Sequence, residues 1–238
     1  MEVPLLSLVG VTKKFGGLLA VNDLNIDLYD GEAVGLMGPN GAGKTTVLNI
    51  ISGEYKPDGG VVKFKGQSIS GLRTHKICHL GIARTFQIPQ PFASLTALEN
   101  VEIAAMYGKS VGKSAAKSEA ERIIDLVGLT EKKNIPAKDL VAITLKRLEL
   151  ARALATKPKV LLIDEVAAGL TEEEIPSLLK ILKEVRSMGV SYILIEHVLK
   201  VMMEAVDRIT VIEYGTKIAE GTPAEVMEDE RVISAYFG

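Results

Sequence analysis

Tryptophan is absent from this sequence, and its 238 residues include a single cysteine, Cys78. An intramolecular disulfide and a cysteine-rich zinc site are both excluded. The chain suits a reducing cytosol, with Cys78 expected as a small, partly buried side chain. Aromatics make up only 5%, too few for a platform on which bases stack. A basic surplus is missing too. The formal net charge is -2, which argues against a generic nucleic-acid partner. The longest apolar stretches, Val160–Ile163 and Val190–Ile195, fall far short of the ~20 residues that span a bilayer. Met1–Leu6 shows no basic stretch followed by an apolar run, so no signal peptide is expected. What is present is 47% hydrophobic and 24% charged sequence, enough to bury a sizeable core in one domain, with or without an inserted lobe.

Periodicity divides the chain into three parts. Leu6–Val11 and Leu24–Leu28 read as strands, the second with strict period two, and Phe15-Gly16-Gly17 and Asp30-Gly31 as turns. Ala33–Met37 is a short apolar strand that runs into a Gly-rich loop. Thr45–Ser52 then takes helical spacing, closed by Gly53, and Val61–Lys65 is a further strand. From about Pro89 apolar positions recur at helical spacing over Ser94–Tyr107, Ser114–Val127 and Leu145–Ala155. The last third alternates: strand Val160–Ile163, helix Glu172–Met188, strand Ser191–Ile195, helix Val198–Ala205, strand Arg208–Glu213. Such alternation predicts an α/β fold with a parallel sheet covered on both faces.

Three motifs carry chemistry. Gly38-Pro39-Asn40-Gly41-Ala42-Gly43-Lys44-Thr45-Thr46 fits G-x-x-x-x-G-K-[ST] between an expected strand and an expected helix. Its glycines let backbone N–H groups face phosphate oxygens, and the helix start adds partial positive charge. Lys44 is placed to reach the β- and γ-phosphates of ATP, and the Thr45 hydroxyl to ligate Mg²⁺. Val160–Glu165 is an apolar strand ending in two acids at the edge where open α/β sheets bind ligands. Such a pair alone more often caps a helix. After a phosphate loop, Asp164 is expected to hold Mg²⁺ through water and Glu165 to act as general base. Ile195-Glu196-His197 also follows an apolar strand. A lone histidine is usually a surface or satisfied core residue, but here His197 is expected to contact the γ-phosphate. His75 and His79 are read as surface residues of a helix.

Together these residues resemble the nucleotide-binding subunits of ABC transporters over essentially the whole chain. The resemblance implies a P-loop NTPase fold over residues 1–238: a RecA-like parallel-sheet core, a small antiparallel β subdomain and an inserted α-helical subdomain at about 89–156. It implies that Ala83–Gln87 is the Q-loop, with Gln87 contacting Mg²⁺ and water. It also implies that Phe15 stacks on adenine, that Leu140–Arg152 holds the signature and its helix, and that Ala167–Leu170 crosses a dimer interface. Phe15–Val21, Gly81–Gln87, Arg147–Leu154 and Ala219–Pro223 are similar to the LivG branch, which serves importers of branched-chain amino acids and has sister systems for urea and short amides. The branch implies a second ATPase subunit, two transmembrane permease subunits and, indirectly, a periplasmic or extracellular binding protein. It also implies a place on the cytoplasmic face of the inner membrane, where the apolar residues Ile88, Pro89, Pro91 and Phe92 would meet the permease.

The sequence departs from this family at one place. Where the signature reads L-S-G-G-Q, this chain reads Leu140-Val141-Ala142-Ile143-Thr144. The serine hydroxyl and both glycines are gone, and a branched Ile143 obstructs close backbone approach to a phosphate. Val166 stands where the family has Pro after the catalytic Glu. The expectation is a heterodimer whose partner supplies the intact signature, with a homodimer possible in isolation. Two rival readings remain at this stage: a soluble ABC ATPase outside transport, against which stand the missing coiled-coil insertion and the single cassette, and a nucleotide-dependent regulator that does not hydrolyse, against which stand Glu165 and His197.

Overall fold

The computed structural model describes residues 3–109 and 112–237. Chain order runs through strands β1 (Leu6–Phe15), β2 (Leu18–Leu28) and β3 (Ala33–Met37), helix α1 (Lys44–Ile51), strands β4 (Gly59–Phe64) and β5 (Gln67–Ser68), helix α2 (Thr74–Leu80) and strand β6 (Ile82–Arg84). Three helices follow, α3 (Ala97–Lys109), α4 (Lys113–Leu126) and α5 (Ala142–Ala155). The remainder is β7 (Val160–Asp164), α6 (Ile175–Ser187), β8 (Ser191–Ile195), α7 (Leu199–Ala205), β9 (Arg208–Glu213), β10 (Thr216–Gly221), α8 (Pro223–Glu228) and α9 (Glu230–Phe237).

Two sheets form. One is antiparallel, in the order β2-β1-β4-β5, and the other runs β10-β9-β3-β8-β7-β6. In the second sheet β9, β3, β8, β7 and β6 are parallel, while the edge strand β10 pairs antiparallel with β9. The buried strands divide their side chains by the period of two. Leu161, Ile163, Tyr192 and Leu194 enter the core shared with the helical lobe and α6. Val34, Leu36, Leu162, Ile193 and Ile195 enter the core shared with α1 and the antiparallel sheet. Each such side chain removed from water contributes roughly 1.5–3 kcal/mol before entropy is counted. Among the described residues no helix is long and apolar enough to cross a membrane.

Most strand expectations match, and the differences have local causes. The helix expected over Glu172–Met188 starts only at Ile175, with Pro176 in its first turn. Proline lacks the N–H that a helix interior needs, so it settles where no partner is required. The helix expected over Ser94–Tyr107 starts at Ala97, because Thr96 and Glu99 exchange hydrogen bonds that cap it. Ile82–Arg84, whose last two residues open the segment matched to the Q-loop, is a three-residue edge strand on β7, too short for a periodic signal. Strand β10 and helices α8 and α9 have no counterpart in the sequence reading. His75 and His79 are exposed on α2, as expected, and Cys78 is half-buried.

Candidate active site

The Gly-rich loop joins β3 to α1. Gly38 has φ 149, and a Cβ there would stand 2.0 Å from the Ile212 carbonyl oxygen of β9. Gly43 is the N-cap of α1 with φ 103, and a Cβ would stand 2.4 Å from the Ala20 carbonyl. Only glycine fits both places. Lys44 is 8% exposed. Its ammonium donates to the carbonyls of Gly38 at 2.6 Å and Pro39 at 3.0 Å. Burial lowers its pKa, and the carboxylates of Glu165 and Asp164 work against that shift. Thr45 is exposed and Thr46 half-buried on the first turn of α1.

The loop faces a cavity of about 380 Å³, lined by Phe15, Leu18 and Ala20 of the antiparallel sheet, by Asn40–Thr46, and by Gln87, Glu165, His197 and Tyr214. The expected residues therefore converge from distant segments. Glu165 is their hub: its Oε2 accepts from Gln87 Nε2 at 2.7 Å, and its Oε1 lies 3.2 Å from His197 Nε2. Its backbone has φ 50, a left-handed conformation that is uncommon for a non-glycine residue and clusters at functional sites. That conformation is fixed on both sides. The Glu165 N–H donates to Ile195 O at 2.9 Å, and Lys146 of α5 donates to Glu165 O at 2.8 Å and Ala168 O at 2.9 Å. Phe15 is exposed at the cavity mouth, its ring edge-on to Tyr55 at 5.1 Å between centroids.

Asp164 lies beneath the cavity and does not line it. Its Oδ2 accepts from Arg84 at 3.2 Å, while Oδ1 is buried without a hydrogen-bond partner. Burial raises its pKa, with Arg84 opposing. Glu196, also buried, accepts from the Ala167 N–H at 2.5 Å and the His197 N–H at 3.2 Å. It thereby joins the segment after Glu165 to the segment that carries His197. Leu140–Thr144 do not line the cavity. Val141 is the N-cap of α5, is 63% exposed and supplies no side-chain acceptor.

Sequence reasoning did not assign parts to Arg84, Lys146, Glu196, Tyr214 or Tyr236. Arg84 and Glu196 sit inside motifs that were recognised for their neighbours, so adjacency was the signal available. Lys146 and Tyr236 carried none: each acts through a contact that only the fold creates.

A cavity above a phosphate loop, with a carboxylate held by an amide and an imidazole, is chemically equipped to bind a polyphosphate and to accept a proton from water. The comparisons with known proteins agree. A family model described as ABC transporter matches residues 21–168, and one described as Branched-chain amino acid ATP-binding cassette transporter matches residues 216–238. The chain is 40% identical over 253 residues to the high-affinity branched-chain amino acid transport ATP-binding protein LivG of Escherichia coli (strain K12), covering 100% of this chain and 99% of the relative. It is 38% identical to the probable branched-chain amino acid transport ATP-binding protein LivG of Archaeoglobus fulgidus, covering 96% and 93%. Among solved structures it is similar to the ADP conformation of an ATP-binding cassette of an ABC transporter, with a TM-score of 0.88 at 28% identity and 100% of both chains covered. A dimeric ATP-binding cassette in a post-hydrolysis state with ADP and Pi gives a TM-score of 0.84 at 27% identity, covering 92% of this chain and 98% of that one. This chain belongs to the ABC transporter family, as one of its ATP-binding, ATP-hydrolysing cassettes.

Proposed function

We propose that this cassette powers the import of branched-chain amino acids, working at the cytoplasmic face of a membrane as half of a heterodimer of ATPase subunits on two permease subunits. The observation that carries the cargo class is the tail: residues 216–238 match a family model described as Branched-chain amino acid ATP-binding cassette transporter, beyond the general match over 21–168. Support for a permease contact comes from Ile88 (74% exposed), Phe86 and Phe92, apolar side chains left on the surface beside Gln87.

In this reading backbone N–H groups within Asn40–Thr46, which line the cavity, and the Lys44 ammonium bind the ATP phosphates, and Phe15 packs on the adenine. The donors present fit Mg²⁺: an exposed Thr45 hydroxyl, a hard oxygen ligand, with Gln87 at the cavity wall and, behind them, a buried Asp164 oxygen without a hydrogen-bond partner that would hold the ion through water. Mg²⁺, when bound, neutralises charge on the transferring phosphoryl group. Glu165 Oε takes the proton of the attacking water. Gln87 holds that carboxylate in place, and the His197 imidazole, which meets Glu165, would donate to the γ-phosphate instead when ATP is bound.

The eroded segment Val141–Thr144 supports asymmetry between the two ATP sites. This chain's loop would pair with the partner's intact signature to form the competent site, and the partner's loop would face the weak one. Co-expression with the partner and the permease, followed by Lys44→Ala on this chain and the equivalent change on the partner, tests it. Loss of transport-coupled ATPase chiefly from Lys44→Ala is expected, and equal losses from both would sink the asymmetry. No ATPase in the full assembly would favour a non-hydrolysing regulator.

A further inference from the structure

The guanidinium of Arg84 touches three functional segments at once. Its side chain is 6% exposed, against 1% for Asp164. One nitrogen, Nη2, donates to Asp164 Oδ2 at 3.2 Å. The other, Nη1, donates to Asn49 Oδ1 and to Ser52 Oγ at 3.3 Å, both at the end of α1, and stands 3.7 Å from Glu54. The plane covers the Phe86 ring at 5.0 Å, the residue before Gln87. Thr85 completes the frame by accepting the Asp164 N–H at 3.1 Å. A planar fork can bridge such points, and a lysine ammonium cannot.

We propose that Arg84 is a positioning residue for the metal-binding carboxylate. By holding Oδ2 of Asp164 it fixes that side chain and leaves Oδ1 as the oxygen available to an ion. The other nitrogen is anchored at the far end of α1, on Asn49 and Ser52, which fixes the guanidinium while it holds Asp164. The proposal rests on the reading that Asp164 serves Mg²⁺. Outer-shell groups of this kind typically change metal affinity 10- to 100-fold.

The test is Mn²⁺ binding, read by electron paramagnetic resonance, to the full chain with a non-hydrolysable ATP analogue, beside analogue binding in EDTA. Arg84→Met is expected to weaken Mn²⁺ binding about tenfold or more while metal-free nucleotide affinity stays within about twofold. Arg84→Lys is expected to fall between Arg84→Met and the unsubstituted chain, and Ser52→Ala, which keeps the Asp164 contact, to bind Mn²⁺ normally. Unchanged Mn²⁺ affinity in Arg84→Met overturns the proposal, as do parallel losses of metal and metal-free nucleotide. Should Arg84→Met not fold, Arg84→Lys decides by the same two affinities. Asp164→Asn separates the layers. If it leaves Mn²⁺ binding intact, the reading of Asp164 fails; if it weakens binding and the Arg84 variants do not, only the part assigned to Arg84 fails.

Discussion

The phenol oxygen of Tyr236 lies 2.7 Å from the Gly38 nitrogen and accepts its N–H, so the last helix of the chain holds the first residue of the phosphate loop. Burial raises the Tyr236 pKa, with the Gly38 hydrogen bond opposing, and the group acts as a neutral acceptor. Leaving a part-buried N–H without its acceptor costs about 1–3 kcal/mol. Tyr236→Phe keeps the ring and removes the acceptor. We expect ADP affinity to fall about fivefold, the equivalent of about 1 kcal/mol, in titration calorimetry. Unchanged affinity would show that the loop keeps its shape without the contact.

Glu165 carries the second expectation. Glu165→Gln keeps the side chain's shape and can still meet Gln87 and His197, but it cannot take a proton from water. ATP binding should persist while hydrolysis slows on the order of 10²–10⁴-fold, measured as single-turnover phosphate release in the two-subunit assembly. Turnover at the unsubstituted rate would remove Glu165 as the base.

The start of α5 offers a gain. Val141 sits at an N-cap without a side-chain acceptor, and serine is among the favoured residues there. Val141→Ser should stabilise the chain by ~1 kcal/mol, raising the melting temperature by about 2–4 °C in scanning calorimetry. Adding Ile143→Gly should give back much of that gain, because glycine in a helix costs roughly 0.5–1 kcal/mol, while raising ATPase at the partner's site. A pair of substitutions that leaves that site as slow as before would mean that the hydroxyl and the glycine are not what it lacks.

Glu196 sets a pH dependence. Burial raises its pKa above the ordinary 4.5, against the hydrogen bonds from Ala167 and His197. The folded chain thus holds a proton there more firmly than the unfolded chain, and stability from this group falls as pH rises through the window above 4.5. Glu196→Gln does not titrate, so the stability difference between the unsubstituted chain and this variant should shrink with rising pH. Urea unfolding from pH 4.5 upward checks it, and a difference that grows with pH would contradict the assignment.

The amino-acid sequence by itself determined what local pattern can determine. The loop at Gly38–Thr46, the apolar strands Ala33–Met37, Val160–Ile163 and Ser191–Ile195, and the helices between them follow from glycine chemistry and from periods of 2 and 3.6, which need no knowledge of distant segments. Tertiary structure alone decided which of these meet. Gln87 reaches Glu165 across 78 positions, Arg84 reaches Asp164 across 80, and Gly38 reaches Tyr236 across 198. It also placed the short edge strand Ile82–Arg84 and paired β10 antiparallel with β9, since an edge strand of three residues takes its form from its neighbour and carries too little pattern of its own. The residue types that gather at the cavity were legible because the chemistry expected after a phosphate loop demands them. The groups that hold them in place were not, because a hydrogen bond between distant residues leaves no periodic mark on either one.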